Sequence, residues 1–324
     1  MKRSPSIGAV VPLYNKRATI LRAIESISRQ DLCPSQVIIV DDGSTDGSSE
    51  IAKAACGKFG YIYHRQENAG VSAARNSGIN LCDTDFICFL DADDEWLPNH
   101  VSTVARLISE YLTRHKIEPA LVSTRSQKSR MRKGSERTYP PLATADDFFT
   151  ILSHDWNGDP VNSSTACVNR SDILHEGGFP VGCVHGEDIY MWLRIGLTGR
   201  VALSEVVTAI IHEDSVVRAS ARNLNSLPFH IQFFAGSEKG LAAIQKSQAL
   251  RAMLRRSAFR NGISLSAFTD LKLTTNYIAC TYRFGQGAAV GLFLLACTPR
   301  TLRSALRRLY LRHRASRAKH SINK

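Results

Sequence analysis

Three short apolar runs, IGAVV at 7–11, QVIIV at 36–40 and FICFL at 86–90, each break off abruptly into polar residues. Runs of this length are too short for a buried helix and right for a strand covered on both faces. The segments between them read differently. Residues 18–29 carry Ile20, Leu21, Ile24 and Ile27 at helical spacing, and the small-residue stretch NAGVSAARNSGINL follows a glycine turn. Tyr61 to Tyr63 adds a further short strand, and Asp46 is placed to cap the helix after the second. Strands that alternate with helices imply a parallel sheet with helices on both faces. Such a sheet gathers whatever follows its strands along one edge, and that edge is where ligands bind.

The alternation continues with a helix over 98–115 and a strand near 120–124, then lapses. RSQKSRMRKGSERTYPP at 125–141 is basic, polar and closed by two prolines, and reads as a mobile loop. A second set follows: a helix near 145–153, a strand near 165–168, the amphipathic segment EDIYMWLRIGL, and strands over 200–211. Beyond about residue 216 the chain reads as helical and increasingly basic. The expected division is a domain over 1–215, in halves of 1–120 and 121–215, and a helical basic extension over 216–324.

Charge separates these parts. The chain has 324 residues with 41 Lys+Arg against 29 Asp+Glu, and its last acid is Asp270. Eleven of the bases follow Asp270, so the body is nearly neutral and the end of the chain carries almost the whole +12. A basic end on a neutral body implies an anionic partner surface. Leu302, Ala305, Leu306, Leu309 and Tyr310 recur at helical spacing among Arg303, Arg307, Arg308, Arg312 and Arg314, just after the apolar run AAVGLFLLAC. A basic amphipathic helix of this kind suits the surface of an anionic membrane. No aromatic-interleaved basic patch points to nucleic acid. The run from 287 to 297 is too short to span a bilayer, and the N-terminal apolar run, closed by Pro12, is not a secretory signal. None of the eight cysteines forms a C-x-x-C pair, which fits reduced thiols in a cytosolic protein. The expected location is cytoplasmic, peripheral at the inner face of the membrane.

Acids mark the functional edge. The second strand ends in Asp41 and Asp42, and the FICFL strand ends in Asp91, Asp93 and Asp94. Acids repel phosphate, so a nucleotide at this edge needs a divalent cation, Mn²⁺ or Mg²⁺, between them. Asp94 reads as a solvated cap ahead of the 98–115 helix. Neither G-x-G-x-x-G nor a P-loop is present, which disfavours Rossmann redox and NTPase chemistry.

VVPLYNKRATILRAIESISRQ, VIIVDDGSTDGS, ENAGVSAARNSGI, FLDADDEWLP and GEDIYMWLRI stand in the order and spacing of the family-2 glycosyltransferases. The resemblance spans roughly residues 7–195. It implies a GT-A fold, a mixed and mostly parallel sheet flanked by helices, here with a helical C-terminal extension. It also implies an inverting, metal-dependent transfer of one sugar from a nucleotide-diphosphate sugar, a UDP-sugar foremost, to a glycan or lipid-linked acceptor in cell-surface polysaccharide or lipopolysaccharide synthesis. Asp42 resembles the acid that binds the nucleotide base, with Asp41 helping or shaping the turn. Pro12, Tyr14 and Asn15 resemble the loop that lines base and ribose. Arg75 resembles an arginine that approaches base or diphosphate. Asp91 would contact ribose or metal, Asp93 would bind the metal, and His212 sits where some relatives place a metal-binding histidine. Asp188 resembles the general base, with Glu187 beside it at the start of a helix. The Q-x-x-R-W motif of processive synthases is absent. Two alternatives remain open: a catalytically silent nucleotide-sugar binder, and a same-fold nucleotidyltransferase, against which the missing Gly-rich triphosphate loop counts.

Overall fold

The structure is a computed structural model that describes residues 4–129, 144–154, 160–183, 185–212, 226–266 and 271–286. The basic amphipathic segment over 300–319 and most of the 125–141 loop lie outside the described residues.

The first half runs β1 (Ile7–Leu13), α1 (Ile20–Ser28), β2 (Gln36–Asp41), α2 (Ser48–Phe59), β3 (Ile62–Arg65), α3 (Val71–Leu81) and β4 (Phe86–Phe89). β1 pairs in parallel with β2 on one side and β4 on the other, and β2 pairs in parallel with β3. The strand order therefore reverses about β1, which opens a crevice beyond the carboxyl ends of these strands. Side chains alternate with the period of two that strands impose. Ala9, Val11, Val37, Ile39 and Cys88 join one buried cluster with α1, α2 and the later Val101, Val104 and Ile108, whereas Val10, Ile38, Val40, Ile87 and Phe89 join another with Ala74 and Ile79 of α3.

In α1 the buried stripe is Ile20, Ala23, Ile24 and Ile27, while Leu21 is 45% exposed. Leu21 is therefore not part of the core stripe, because one residue on from Ile20 is about 100° around the helix. The small residues of α3 serve close packing. A Cβ on Gly78 would collide with Val10, so glycine lets this helix lie directly on β1.

The second half adds β5 (Glu95–Trp96), α4 (His100–His115), β6 (Leu121–Lys128), α5 (Ala145–His154), β7 (Ala166–Asn169), α6 (Arg170–His175), α7 (Glu187–Gly196) and β8 (Val201–Ile211). The sheet order is β3-β2-β1-β4-β7-β6-β8-β5. β7 enters antiparallel between β4 and β6, and β5 pairs antiparallel with β8, so the sheet is mixed and mostly parallel. β6 continues to Lys128 into the segment expected as a loop, because Arg125, Ser126, Gln127 and Lys128 pair with β8 past a register shift. The span 201–211 is one strand.

Among the described residues four helices follow: α8 (Phe229–Gly236), α9 (Glu238–Lys246), α10 (Gln248–Ser266) and α11 (Leu271–Phe284). Their Ile231, Phe234, Ile244, Leu250, Met253, Leu254 and Phe284 are buried in the same cluster as Tyr190, Met191, Trp192 and Leu193 of α7. Removing everything from residue 226 onward would strip α7 of this cover. A chain ending at 215 is expected to lose cooperative thermal unfolding and to aggregate. A sharp melting transition for that shortened chain would show that the extension is dispensable to the core. Among the described residues no helix is long and apolar enough to cross a membrane.

Candidate active site

The loop after β2 is built on Asp41. Its carboxylate is fully buried and accepts from Ser49 Oγ at 2.5 Å, Tyr63 Oη at 2.6 Å and the Ser44 amide at 2.9 Å. Burial alone would raise this carboxyl, but the hydrogen bonds from Ser49, Tyr63 and Ser44 outweigh it and hold it below the usual carboxylate range. Asp41 thus shapes the turn from beneath.

The loop after β1 is stapled to this one. Asn15 sits at φ 50°, and its Oδ1 accepts from the Thr45 amide at 2.8 Å. Asparagine tolerates this left-handed backbone because its short amide bonds locally. Ser44 Oγ, Ser48 Oγ and Asp46 Oδ2 then accept from the amides of Asn15, Lys16 and Arg17 at 3.1, 2.8 and 3.0 Å. Asp46 also accepts from the Ser48 amide at 3.0 Å at the start of α2. Pro12 is buried at the end of β1, and Tyr14 stands out from it, 46% exposed.

Asp42, 2% exposed, gathers the third loop. Its oxygens accept from Gln66 Nε2 at 2.8 Å and from the amides of Ala69 and Gly70 at 2.9 and 2.8 Å. That loop leads into α3 and delivers Arg75.

Arg75 joins the two halves. It is 3% exposed, and its guanidinium donates to Asp91 Oδ1 at 2.9 Å, Ser163 Oγ at 2.9 Å and Glu187 Oε1 at 3.2 Å. It also lies over the Phe179 ring at 5.2 Å. Burial works against its charge, but Asp91, Glu187 and Asp188 more than compensate and raise its already high pKa. An arginine planted among three carboxylates stays charged and fixes their spacing. Arg75→Met would leave Asp91 and Glu187 facing each other without a counter-charge. Asp91 stays partly wet, so the expected loss is about 3 kcal/mol, the lower end for breaking a buried pair. Urea unfolding measures it, and Arg75→Lys is expected to recover only part, since one ammonium cannot span both carboxylates.

The acids after β4 are not equivalent. The Asp91 amide donates to Ser164 Oγ at 3.2 Å, and its carboxylate faces Arg75. Burial pushes this carboxyl up, Arg75 pulls it back, and Asp93 and Glu187 leave the balance above the usual range. Asp93 Oδ2 holds Lys16 Nζ at 2.6 Å, and its carbonyl accepts from Arg22 Nη2 at 2.5 Å. Asp94 is not a solvated cap. It is 5% exposed, accepts from Ser164 Oγ at 2.6 Å and from the His212 amide at 3.1 Å, and so ties β4 to the end of β8. Burial, with Asp91 and Asp93 close by, pushes its carboxyl up to about 7. The His212 imidazole lies against Glu95, Nε2 to Oε2 3.6 Å.

α7 opens at Gly186, whose φ of 83° is open to glycine. A Cβ there would also strike His230 Nδ1 of α8. His230 is buried and bonds Ser257 Oγ at 3.0 Å, while the Phe229 amide donates to the His185 carbonyl at 2.9 Å. The extension therefore grips the turn that presents Glu187 and Asp188. Burial, then the adjacent Glu187, push the Asp188 carboxyl up to about 7, against the pull of Arg75. Nothing in the sequence pattern of 226–257 signalled this contact. Ser163, Ser164, Lys16 and Arg22 also escaped the sequence reading, because each meets its partner across many residues.

These elements bring Asp91, Arg75, Glu187 and Asp188 to one place, and Asp93 to Lys16 beside it. Asp41 stands below the turn, and His212 enters through its backbone amide and Glu95.

Comparison with known proteins agrees with this architecture. The chain is 38% identical over 110 residues to glycosyltransferase GlyA of Streptococcus pneumoniae serotype 4, covering 32% of this chain and 15% of GlyA. It is 37% identical over 105 residues to the putative colanic acid biosynthesis glycosyl transferase WcaA of Escherichia coli K12, covering 32% of this chain and 37% of WcaA. The matched part is thus well under two thirds of either relative. Among solved structures, Staphylococcus aureus TarS 1–349 in complex with UDP-GlcNAc aligns over 87% of this chain and 81% of its own, with a TM-score of 0.67 and 17% identity. The mannosyltransferase PcManGT of Pyrobaculum calidifontis, in complex with GDP-Man and Mn²⁺, aligns over 91% of this chain and 87% of its own, with a TM-score of 0.51 and 18% identity. At such identity these two show the fold. Residues 9–177, over half of the chain, match the family described as Glycosyl transferase family 2, and the chain belongs to that family.

Proposed function

We propose that this chain is an inverting glycosyltransferase that moves one sugar from a nucleotide-diphosphate sugar to a hydroxyl of a glycan or lipid-linked acceptor. The observation that carries this reading is the Arg75 bridge between Asp91 and Glu187. It sets the acids at the strand ends against the start of α7, so that donor and acceptor groups share one cleft.

The end of β1 and the loops after β1 and β2 offer a base-binding wall of Pro12, Tyr14, Asn15 and Asp42. Three donors already engage Asp42, so a base would share its remaining lone pairs or compete for them. Asp188 takes the proton from the acceptor hydroxyl as that oxygen attacks the anomeric carbon. The nucleotide diphosphate leaves from the opposite face, and the linkage inverts. Glu187 holds Arg75, and burial first, then Glu187, raise the Asp188 carboxyl so that it acts as a base near neutral pH.

A divalent cation, Mn²⁺ or Mg²⁺, fits this site. Asp91, Asp93, Asp94, Glu95, Glu187 and Asp188 outnumber Lys16, Arg22 and Arg75, and Asp93 already holds a cationic side chain. Among the described residues no three His, Cys, Asp or Glu side chains converge to hold a metal alone. That pattern suits an ion held by one or two carboxylates together with the donor phosphates. Asp93 and Asp91 would hold it, and His212, whose imidazole lies against Glu95, does not complete a third ligand. When bound, such an ion neutralises charge on the departing diphosphate.

The name of WcaA, a putative colanic acid biosynthesis glycosyl transferase, supports a setting in polysaccharide synthesis. The basic segment over 300–319 supports attachment to the inner face of an anionic membrane, where a lipid-linked acceptor lies. Full-length protein is expected to sediment with anionic liposomes in a salt-sensitive manner, and a chain ending at 298 is not; equal sedimentation would remove the segment from the account. The enzymatic reading is tested with purified protein, Mn²⁺ and a panel of nucleotide sugars, UDP-sugars first. Release of nucleotide from one donor in the presence of acceptor is expected. Binding without release would favour a silent nucleotide-sugar binder.

A further inference from the structure

Lys16 is a charged residue of the site to which the reading above gives no task. Its backbone is set before any ligand arrives. The Lys16 amide donates to Ser48 Oγ at 2.8 Å, Asn15 before it is locked to Thr45, and the amides of Thr19 and Ile20 donate to its carbonyl at 3.0 and 2.9 Å. Only the four-carbon stem is left to move. Its ammonium lies 2.6 Å from Asp93 Oδ2, with the two side chains 23% and 19% exposed. Asp93 is held from behind, where Arg22 donates to its carbonyl. The ammonium therefore meets a carboxylate carried on fixed backbone.

An ammonium and a divalent ion cannot share that oxygen. An ion bound to Asp93 sits about 2.1 Å from it. A lysine still in place would then put a unit charge within a few ångströms of a double one, in a partly buried cleft where repulsion is poorly screened. The displaced ammonium has an obvious new partner in the donor diphosphate, which must lie against the same ion. Lysine suits this exchange because it is a compact charge on a flexible stem.

We propose that Lys16 is an internal counter-cation: it occupies Asp93 while the donor is absent, yields that carboxylate to the divalent ion, and then pairs with the donor diphosphate. Cation and nucleotide therefore bind cooperatively, because the nucleotide draws off the lysine that competes with the ion. The inference rests on Asp93 as a ligand of the cation.

Free Mn²⁺ measured by electron paramagnetic resonance tests it directly on the full chain, without turnover. Mn²⁺ is titrated into wild type, Lys16→Met, Lys16→Arg and Asp93→Asn, each with and without uridine diphosphate. Without nucleotide, Lys16→Met is expected to bind Mn²⁺ about tenfold more tightly than wild type, within the usual range of coupling between sites. Uridine diphosphate is expected to tighten Mn²⁺ binding strongly in wild type and Lys16→Arg but weakly in Lys16→Met. Equal Mn²⁺ affinity of wild type and Lys16→Met without nucleotide would overturn the proposal. If Asp93→Asn still loses Mn²⁺ in that case, the cation site stands and only the role of Lys16 falls. If Asp93→Asn binds Mn²⁺ as wild type does, the cation reading of Asp93 fails and the proposal fails with it.

Discussion

Asp188→Asn is expected to lower turnover by about 10²–10⁴-fold, the scale of a lost general base, with donor binding nearly unchanged. Asparagine keeps the size of the side chain and most of its hydrogen bonding, including an oxygen for the Ile189 amide now bonded at 2.7 Å. It cannot take a proton. The raised carboxyl adds a signature that a merely structural residue lacks. With Asp188 at about 7, wild-type turnover should climb as pH rises through neutrality and then level off, and the residual activity of the variant should lack that limb. Stability should move the opposite way. A carboxyl whose folded pKa lies above its unfolded one favours the fold below about pH 4, and that contribution is lost as pH rises toward 7. Asparagine never carries the buried charge. The variant should therefore melt above wild type at pH 8, by a margin that shrinks toward pH 4. A variant that transfers sugar normally would make Asp188 structural and put the base elsewhere.

Asp93→Ala is expected to abolish transfer and to weaken nucleotide-sugar binding in Mn²⁺ sharply while leaving the fold intact. The fold should survive because Asp93 is anchored through its carbonyl to Arg22, a contact alanine retains. Among the described residues its carboxylate pairs with one partly exposed lysine, and such a pair contributes little to stability. Function should not survive, because Asp91, with one oxygen tied to Arg75, would be left to hold the ion alone. Calorimetry with the preferred donor, with and without Mn²⁺, separates the cases. Full activity of wild type in excess EDTA would remove the cation from the account.

Much of this site was legible because it lies at strand ends. Asp42, Asp91 and Asp93 follow apolar runs that end where a sheet edge must be, and Glu187 and Asp188 stand where helical periodicity begins. The rest depends on contacts that no local pattern encodes. Asp94 looked like a helix cap because a turn and a helix follow it, yet Ser164 and the His212 amide bury it from 70 and 118 residues away. β5 is two residues long, too short for any periodicity to register, and it forms only because β8 is there to pair with it. β7 read as a strand, but its antiparallel insertion between β4 and β6 is a matter of topology. The extension read as basic and separate because its charges dominate the sequence. Leu250 and Leu254 stand among arginines along α10, and only their burial in the cluster that also holds Trp192 reveals them as core.

The central claim is a single displacement in which Asp188 deprotonates the acceptor on the face opposite the departing nucleotide. The configuration of the new linkage tests it most directly. With the α-linked donor identified by nucleotide release, proton NMR of the product should show a β-linked anomeric proton. A product that keeps the α configuration would contradict the account.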